Sequence, residues 1–302
     1  MLDSIIIGGG PAGLTAGLYL LRAGLRCALF ERQFCGGQAA TTNVIENYPG
    51  FPQGIGGPEL SMNMAEQAQS LGLDIRYDEV EHVELAGETK RVFAAGQELA
   101  AHSVILCMGA TPRPLGLADE DRLRGRGVSY CATCDGALYR GRDVVVAGGG
   151  NTAAEDALYL SRFARRVVIV HRRDAFRAAR ALVDRMEKTA NIDIVYDHVV
   201  ESIAGGQKLE EVALRNVKTG SIRALAADGL FVAVGMEPKT ELVRGQVELA
   251  DGGYIRAGED TRTSLPLVYA AGDIRTKPLR QVVCAAADGA VAASMAALDL
   301  GA

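Results

Sequence analysis

The sequence predicts an α/β protein with two Rossmann-like domains, each doubly wound with three layers (ββα), the second inserted in the first. Two observations lead to this class. A strand–glycine turn–helix–strand pattern starts at Gly8 and is repeated at Gly148, and prolines mark two places where the chain passes between the copies. At about 150 residues per domain, a chain of 302 residues has room for two.

In the first copy the pattern predicts a strand over 4–7, a turn over 8–13, a helix over about 14–23 and a strand over 26–30. The second copy predicts a strand over 143–147, a turn over 148–153, a helix to about 163 and a strand over 167–170.

Both copies continue in the same way. Alternating apolar residues predict short strands such as 80–85 and 210–216. Each copy then closes with an apolar strand that ends in glycine, over 104–109 and 230–235.

Proline-marked joints set the expected domain boundaries. Proline fixes its own φ and restricts its predecessor, so Pro112, Pro114 and Pro238 predict extended crossings. After the second joint the chain offers one strand over 267–271 and one alanine-rich helix, too little for a new domain. We therefore expect a discontinuous first domain over 1–112 and 239–302, and a second domain over 113–238; the two glycine turns and the residues around them, described next, indicate FAD for the first and NADPH for the second.

Both glycine turns have the context of a dinucleotide site. Glycines between a strand and a helix let backbone N–H groups approach a pyrophosphate, and the helix N-terminus adds partial positive charge. A turn that merely packs is the alternative. The candidate residues are Gly8, Gly10, Pro11, Ala12 and Gly13 in the first copy, and Gly148, Gly150, Asn151, Thr152, Ala153 and Glu155 in the second.

The residue after the second strand of each copy distinguishes the two nucleotides. Glu31 in the first copy is suited to unphosphorylated ribose hydroxyls. The second copy has His171, Arg172 and Arg173 there, with Arg177 a helical turn later. Guanidinium groups bind a 2′-phosphate that a carboxylate would repel, which favours NADPH over NADH. A solvated charged face is the alternative.

Cys131 and Cys134 form a C-x-x-C motif just before the second copy. Zinc would need two further ligands at metal-type spacing, which the sequence does not offer, so no metal site is expected. A structural disulfide closing so short a loop would contribute little. A redox dithiol fits best, with Asp135 as a proton donor or acceptor, although an aspartate in a turn also has a purely structural role.

Because NADPH delivers a hydride, a flavin between nicotinamide and disulfide is expected, and FAD suits the first site.

Composition excludes other classes of function. The net charge of −5 gives no electrostatic basis for binding nucleic acid or an anionic membrane. No secretory signal and no uninterrupted membrane-spanning stretch are seen, so we expect a cytoplasmic enzyme.

Over nearly its whole length the sequence resembles the low-molecular-weight thioredoxin reductase family. The matching stretches are GGGPAG at Gly8, GGQ at Gly36, ENYPG at Glu46, CATCDG at Cys131, GGGNTA at Gly148, HRRDAFR at His171, AAGD at Ala270 and RQV at Arg280. The resemblance implies a homodimer that holds FAD and uses NADPH to reduce thioredoxin or a thioredoxin-like protein. It also implies a domain rotation about the two joints, so that nicotinamide and disulfide take turns at one flavin face.

The resemblance assigns roles to particular residues. Cys134 would face the flavin, Cys131 would attack the partner's disulfide, and Asp135 would handle the proton. The arginines at 172, 173 and 177 would hold the 2′-phosphate. The FAD would be lined by the segment from Glu31 to Gln38, including Gly37, and by Asn47, Gly109, Asp273, Arg280, Gln281 and Val282.

One departure from the family pattern leaves alternatives open. Ala137 and Leu138 stand where some members have two phenylalanines that dock thioredoxin. The same relay could serve another redoxin or a peroxiredoxin. Two other classes are an oxygen-dependent dithiol oxidase for small molecules, against which the arginines argue, and a non-catalytic redox-sensing binder. Cys35 has no assigned role.

Overall fold

Each glycine turn joins a strand to a helix in the computed structural model, which describes residues 1–42 and 44–302. Strand β1 (Leu2–Ile7) leads through the first turn into α1 (Pro11–Arg22), and β2 (Cys27–Phe30) follows. Proline suits the first helical position because its missing N–H has no partner there anyway. The next elements are α2 (Gly57–Ser70), β3 (Asp74–Arg76), β4 (Val80–Glu84), β5 (Lys90–Ala94), β6 (Gln97–Leu106) and β7 (Ala110–Pro112).

The middle of the chain repeats the plan around the second turn. Its elements are α3 (Glu120–Leu123), β8 (Val128–Ser129), α4 (Ala132–Asp135), β9 (Asp143–Gly148), α5 (Asn151–Leu160), β10 (Arg166–Val170), α6 (Arg180–Glu187), β11 (Ile192–Val195), β12 (His198–Ala204), β13 (Glu211–Asn216), β14 (Ile222–Ala226), β15 (Gly229–Ala233) and β16 (Met236–Pro238). The C-terminal part adds β17 (Val268–Ala270) and α7 (Val282–Leu300).

The chain divides into two units. Unit 1 comprises Met1–Thr111 and Glu237–Ala302, and unit 2 comprises Pro112–Met236. The strands β7 and β16 lie at the two crossings and pair with each other as a two-stranded sheet.

Unit 1 is built on a seven-stranded sheet in the order β3-β2-β1-β6-β5-β4, with β17 also paired to β6. The long β6 serves two layers: its first half pairs antiparallel with β5, and its second half pairs parallel with β1 and β17. Ile7 is in register with both Phe30 and Leu106, so three parallel strands end together beside the first glycine turn. In a doubly wound sheet, ligands bind at this carboxyl edge.

Unit 2 has a five-stranded parallel sheet, in the order β11-β10-β9-β15-β8, and a separate antiparallel sheet of β12, β13 and β14. Val170 pairs with Ala147, and Ala233 pairs with Gly148, which again aligns strand ends at the glycine turn. The predicted α/β class with two Rossmann-like domains is confirmed.

Three predicted elements end two or three residues earlier than expected. The strand predicted over 104–109 ends at Leu106, and the strand predicted over 230–235 ends at Ala233. Each is followed by a glycine with positive φ, Gly109 at +70° and Gly235 at +122°. The helix predicted to 163 ends at Leu160 in a tight turn, in which the Phe163 amide donates to the Leu160 carbonyl and the Phe163 carbonyl accepts from Gly141.

Helix α7 is long and apolar enough, by length and composition, to cross a membrane. Its alanines nevertheless share a core with α1: Ala292, Ala293 and Ala296 are buried with Leu14 and Ala16. A side chain at Gly289 would collide with the Ala12 carbonyl, so the two helices approach closely here. The helix therefore serves as a core helix of unit 1.

Candidate functional site

The first glycine turn is closed on one side and open on the other. Gly8 has φ +107°, and a Cβ there would collide with the carbonyl of Cys107. A Cβ at Gly13 would collide with the Gly8 carbonyl, so both positions exclude side chains for internal reasons. A Cβ at Gly10, by contrast, would meet nothing within 4 Å. The start of α1 at Pro11 thus has room beside it for a pyrophosphate.

Glu31 follows β2 and is tied to this turn. Its Oε2 accepts the amide N–H of Gly9 at 2.8 Å, and its Oε1 accepts that of Gln33 at 3.0 Å. The carboxylate keeps further lone pairs on both oxygens, which is what a ribose diol requires.

Other predicted FAD residues lie in the same unit and are linked in pairs. The Asn47 amide donates to Gln281 Oε1 at 2.9 Å. The Gln38 side chain donates to the Ala110 carbonyl, one residue after Gly109. Val282 packs against a cluster that contains Ala39 and Ile45, and a Cβ at Gly37 would lie 3.6 Å from Gly10 Cα. These contacts bring together residues that are far apart in sequence.

Asp273 and Arg280 carry the clearest signs of an absent polar ligand. Asp273 Oδ1 and Arg280 Nε are buried without a hydrogen-bond partner. Burial also raises the pKa of the Asp273 carboxyl. The Arg280 guanidinium lies 4.1 Å from the centre of the Tyr254 ring. Because buried polar atoms in folded proteins are normally satisfied, this pair fits the hydroxyls and ring atoms of a bound flavin.

A buried ion cluster fixes the segment that carries Asp273. Asp288 on α7 accepts both Arg275 Nε at 2.8 Å and Arg275 Nη2 at 2.7 Å. It also accepts Lys277 Nζ at 2.8 Å and the Gly272 amide at 2.9 Å. These donors hold the pKa of the Asp288 carboxyl below its usual range despite its burial. This cluster was not predicted from the sequence, although Arg275, Lys277 and Asp288 are charged residues in a mostly apolar region.

The second glycine turn is packed against a histidine. A Cβ at Gly148 would collide with the Ala233 carbonyl, and one at Gly149 would collide with the His171 ring. As at Gly10, a Cβ at Gly150 would meet nothing within 4 Å. The turn is also bonded to the following loop, since Asn151 Oδ1 accepts the Ala179 amide at 2.8 Å. Thr152 is exposed and Ala153 buried at the start of α5.

His171 differs in role from the arginines beside it. It is 6% exposed, its Nε2 lies 3.1 Å from the Ala175 carbonyl oxygen, and its ring stacks on Phe176 at 5.2 Å. Burial lowers its pKa, and the three nearby guanidinium charges lower it further. A neutral, buried imidazole supports the glycine turn and does not offer a charge to a phosphate.

The three arginines face solvent. Arg172, Arg173 and Arg177 are exposed, and their guanidinium groups make no hydrogen bond or ion pair with any described residue. The Arg177 amide donates to the Gly149 carbonyl at 2.8 Å, which attaches this loop to the turn. Three uncommitted guanidinium groups beside an open nucleotide turn suit a dianionic phosphate. Glu155 is exposed on α5, and among the described residues its side chain has no hydrogen bond to the glycine turn.

Cys131 and Cys134 form a disulfide with a Cα–Cα distance of 5.3 Å. Cys131 caps α4, and its carbonyl accepts the amides of Cys134 and Asp135 at 3.2 Å and 3.1 Å. Asp135 Oδ2 accepts the hydroxyl of Ser129 at 2.6 Å. The turn therefore places two sulfurs and a hydrogen-bonded carboxylate within one short helix.

The other cysteines lack these features. Burial raises the pKa of Cys27 to about 12 and raises that of Cys107 further. Burial also raises the pKa of Cys35, which lies 3.9 Å from the Tyr77 hydroxyl. Reactive cysteines need a lowered pKa, so these three are unsuited to thiolate chemistry. Among the described residues, no group of three His, Cys, Asp or Glu side chains lies together as a metal site would require.

Comparison with known proteins gives consistent matches. Residues 2–289 match the family profile described as "Pyridine nucleotide-disulphide oxidoreductase". The chain is 49% identical over 292 residues to a thioredoxin reductase of Streptomyces clavuligerus, covering 96% of this chain and 91% of that protein. It is 46% identical over 293 residues to a bifunctional thioredoxin reductase/thioredoxin of Mycobacterium leprae, covering 96% of this chain and 64% of that protein. A solved thioredoxin reductase from Streptococcus pyogenes superimposes with a TM-score of 0.93 at 42% identity, covering 100% of this chain and 98% of that one.

Proposed function

The chain belongs to the pyridine nucleotide-disulphide oxidoreductase family, and we propose that it takes electrons from NADPH, through FAD, to reduce the disulfide of a thioredoxin. It is a flavoprotein disulfide reductase of the thioredoxin reductase type. The observation that carries this conclusion is the Cys131–Cys134 disulfide, which lies on a short helix next to a carboxylate.

Unit 1 is proposed to hold FAD. The pyrophosphate would lie over the open side of the first glycine turn, at Gly10 and the start of α1. Glu31 would accept the ribose hydroxyls, and Asp273 would accept a hydroxyl of the ribityl chain through its unpartnered oxygen. When bound, the flavin accepts a hydride and returns an electron pair to a disulfide.

Unit 2 is proposed to hold NADPH. Its turn at Gly148 and Gly150 would receive the pyrophosphate, and the guanidinium groups of Arg172, Arg173 and Arg177 would bind the 2′-phosphate. The free ribose of NADH offers these cations nothing to bind, which favours NADPH.

The cysteine pair supplies the exchange chemistry. The Cys131 thiolate attacks one sulfur of the partner's disulfide, which breaks that S–S bond and forms a mixed disulfide. Cys134 then attacks Cys131 Sγ, re-forms the internal disulfide and releases the second sulfur of the partner. The partner gains two electrons and two protons, which the pair loses. Asp135 would give a proton to a departing thiolate and take one from the thiol that must ionise. NADPH and one proton from solvent restore both thiols.

Partner and context follow from the same proposal. The partner is a thioredoxin or thioredoxin-like protein, consistent with the M. leprae relative in which reductase and thioredoxin share one chain. We also propose a homodimer that works in the cytoplasm, with neither nucleic acid nor membrane as a partner. Sedimentation of the purified protein tests the dimer.

An anaerobic absorbance titration tests the proposed function. NADPH should bleach the flavin band fully at about two equivalents, because the flavin and the Cys131–Cys134 disulfide each take two electrons. An equal amount of NADH should do so far less, and oxidised thioredoxin should restore the colour. A panel of redoxins and a peroxiredoxin identifies the partner. A folded protein that neither contains nor takes up a flavin would contradict the proposal, and rapid oxygen consumption without nicotinamide would point to a dithiol oxidase.

A further inference from the structure

Ser129 lies two residues before Cys131 and connects two groups that the proposed function uses. It is 3% exposed, at the end of β8. Its Oγ lies 2.6 Å from Asp135 Oδ2 and 3.1 Å from the backbone nitrogen of Cys131. The sequence offers no signal for this role, because a serine in a short strand is unremarkable.

The direction of this bridge follows from its chemistry. A hydroxyl has one proton to donate, and an ionised carboxylate can only accept. The short distance to Asp135 is typical of an O–H donor to a charged oxygen. A lone pair of the hydroxyl is then available for the Cys131 N–H. The Cys131 carbonyl oxygen lies farther away, at 3.4 Å, and is the weaker acceptor.

The sheet of unit 2 fixes the position of this hydroxyl. Ser129 is paired with Phe231 of β15 in parallel register. Asp135, by contrast, ends α4, a helix of one turn in which the amides of Cys134 and Asp135 donate to the Cys131 carbonyl. The Ser129 hydroxyl therefore ties the cysteine turn to the sheet.

We propose that Ser129 is a positioning residue for disulfide exchange, which holds the Asp135 carboxylate and the Cys131 backbone on one anchor. This inference rests on the proposed function, in which Asp135 moves the proton. A donor to a carboxylate also stabilises its ionised form. Without Ser129, Asp135 would both lose its orientation and take up a proton at higher pH.

The neighbouring residue provides a matched control. Tyr130 donates to Glu120 Oε1 at 2.6 Å, and Glu120 also accepts the amides of Leu115, Gly116 and Leu117. Tyr130 is one residue closer to Cys131 in sequence than Ser129 is, and its bond is equally short, but in the described part of the chain Tyr130 and Glu120 have no hydrogen bond to Asp135. Tyr130→Phe therefore measures the cost of disturbing the backbone alone.

The test is a single-turnover reaction. Ser129→Ala, Ser129→Thr and Tyr130→Phe are each reduced anaerobically with one equivalent of NADPH and mixed with oxidised thioredoxin between pH 5 and 9. For Ser129→Ala we expect the exchange rate at the wild-type optimum to fall about tenfold. We also expect the limb of the pH profile that Asp135 governs to move to higher pH, because the ionised carboxylate loses a donor. Ser129→Thr, which keeps the hydroxyl, should restore both, and Tyr130→Phe should leave the limb in place.

A double-mutant cycle separates positioning from folding. In an Asp135→Asn background the Ser129→Ala change should lose most of its effect, because the carboxylate that it positions is gone. An undiminished effect there, or an unshifted limb in Ser129→Ala, would overturn the inference. Reduction of the flavin by NADPH and the melting temperature check that each variant is folded. Failure of the wild type to reduce thioredoxin would contradict the proposed function itself, so the two failures are distinguishable.

Discussion

The two glycine turns share a frame of strand, turn and helix but are completed by different side chains. In unit 1 the Glu31 carboxylate accepts the amide of Gly9. In unit 2 the buried ring of His171 lies against Gly149, and three arginines beside it face solvent. Both turns remain open at their third glycine, Gly10 and Gly150.

Under the proposed function, this difference would let one frame serve two nucleotides. The open glycine and the helix start can receive a pyrophosphate in either unit, because they offer backbone N–H groups only. The residue after the second strand decides the rest. In unit 1 it is a charged acceptor that also braces the turn. In unit 2 a neutral ring takes over the bracing, which leaves the cations free for a phosphate.

The largest expected effect comes from replacing either cysteine of the disulfide in unit 2, a feature for which unit 1 has no counterpart among the described residues. Cys131→Ser or Cys134→Ser should abolish thioredoxin reduction, since neither sulfur can form a disulfide alone, while NADPH should still reduce the flavin. Steady-state turnover and flavin absorbance measure the two steps.

Cys284→Ser, which removes a thiol outside the pair, is the control and should keep its turnover. Turnover in either single cysteine variant would show that electrons reach thioredoxin by another route.

The next effect concerns the phosphate site. Replacing Arg172, Arg173 and Arg177 with glutamine should weaken NADPH binding at least about a thousandfold, at about 1.5–3 kcal/mol per lost charged contact, and leave NADH binding nearly unchanged. Calorimetric titration with both nucleotides measures this.

Arg180→Gln is the matched control, because Arg180 is already paired with Asp184 at 2.7 Å. Equal losses for NADPH and NADH in the triple variant would place the phosphate elsewhere.

A smaller effect comes from the second glycine of each turn. Gly149→Ala should displace His171 with the arginine loop and weaken NADPH binding about tenfold, an overpacking cost of about 1–3 kcal/mol. Gly9→Ala meets only side-chain atoms of Glu31 and Cys35, at 3.0–3.1 Å, which can shift slightly.

Gly9→Ala should therefore leave NADPH binding unchanged and flavin retention only modestly reduced. If the two variants had the same effect on NADPH, the histidine would not be bracing its turn.

The last effect concerns stability and not nucleotide binding, and it is the pH dependence that Asp156 gives to unit 2. Helix α1 has no acidic residue, whereas α5 contains Asp156, whose pKa burial raises from 3.8 to about 7. The folded protein holds this proton more tightly than the unfolded chain does. The contribution of Asp156 to the free energy of unfolding is therefore fully present below pH 3.8 and is lost as the pH rises through about 7. Asp156→Asn should therefore stabilise unit 2 by about 2–4 kcal/mol at pH 8, and by almost nothing at pH 4.

Calorimetric melting at both pH values measures this gain. Asp184→Asn, an exposed acid in an ion pair, should change stability by less than about 1 kcal/mol at either pH. An equal gain for Asp156→Asn at both pH values would mean that ionisation is not the cause.

Local patterns predicted the main elements well. Apolar runs that meet glycine define β1, α1, β9 and α5 to within a few residues, since period and turn chemistry act over short distances. The same patterns predicted the cysteine pair and the exposed arginines. They overestimated the ends of β6, β15 and α5. A glycine with positive φ follows each of the two strands, and a tight turn bonded to Gly141 follows the helix.

Contacts between distant segments were not predictable. The Asp288 cluster joins α7 to residues 272–277, and Asn47 donates to Gln281. Unit 1 is assembled from the two ends of the chain, and local patterns do not reveal which of their residues meet. The support of the glycine turn by His171 was equally hidden, since sequence alone gives its position next to arginines but not its burial.

The order of residues along the chain thus determined the class of fold, the two glycine turns and the spacing of the cysteine pair, because each is encoded within a few neighbouring positions. Tertiary structure alone decided which polar groups are buried and what satisfies them, including the Ser129 anchor and the unpartnered atoms of Asp273 and Arg280. The reason is physical: whether a buried polar atom finds a partner depends on segments that only folding brings together.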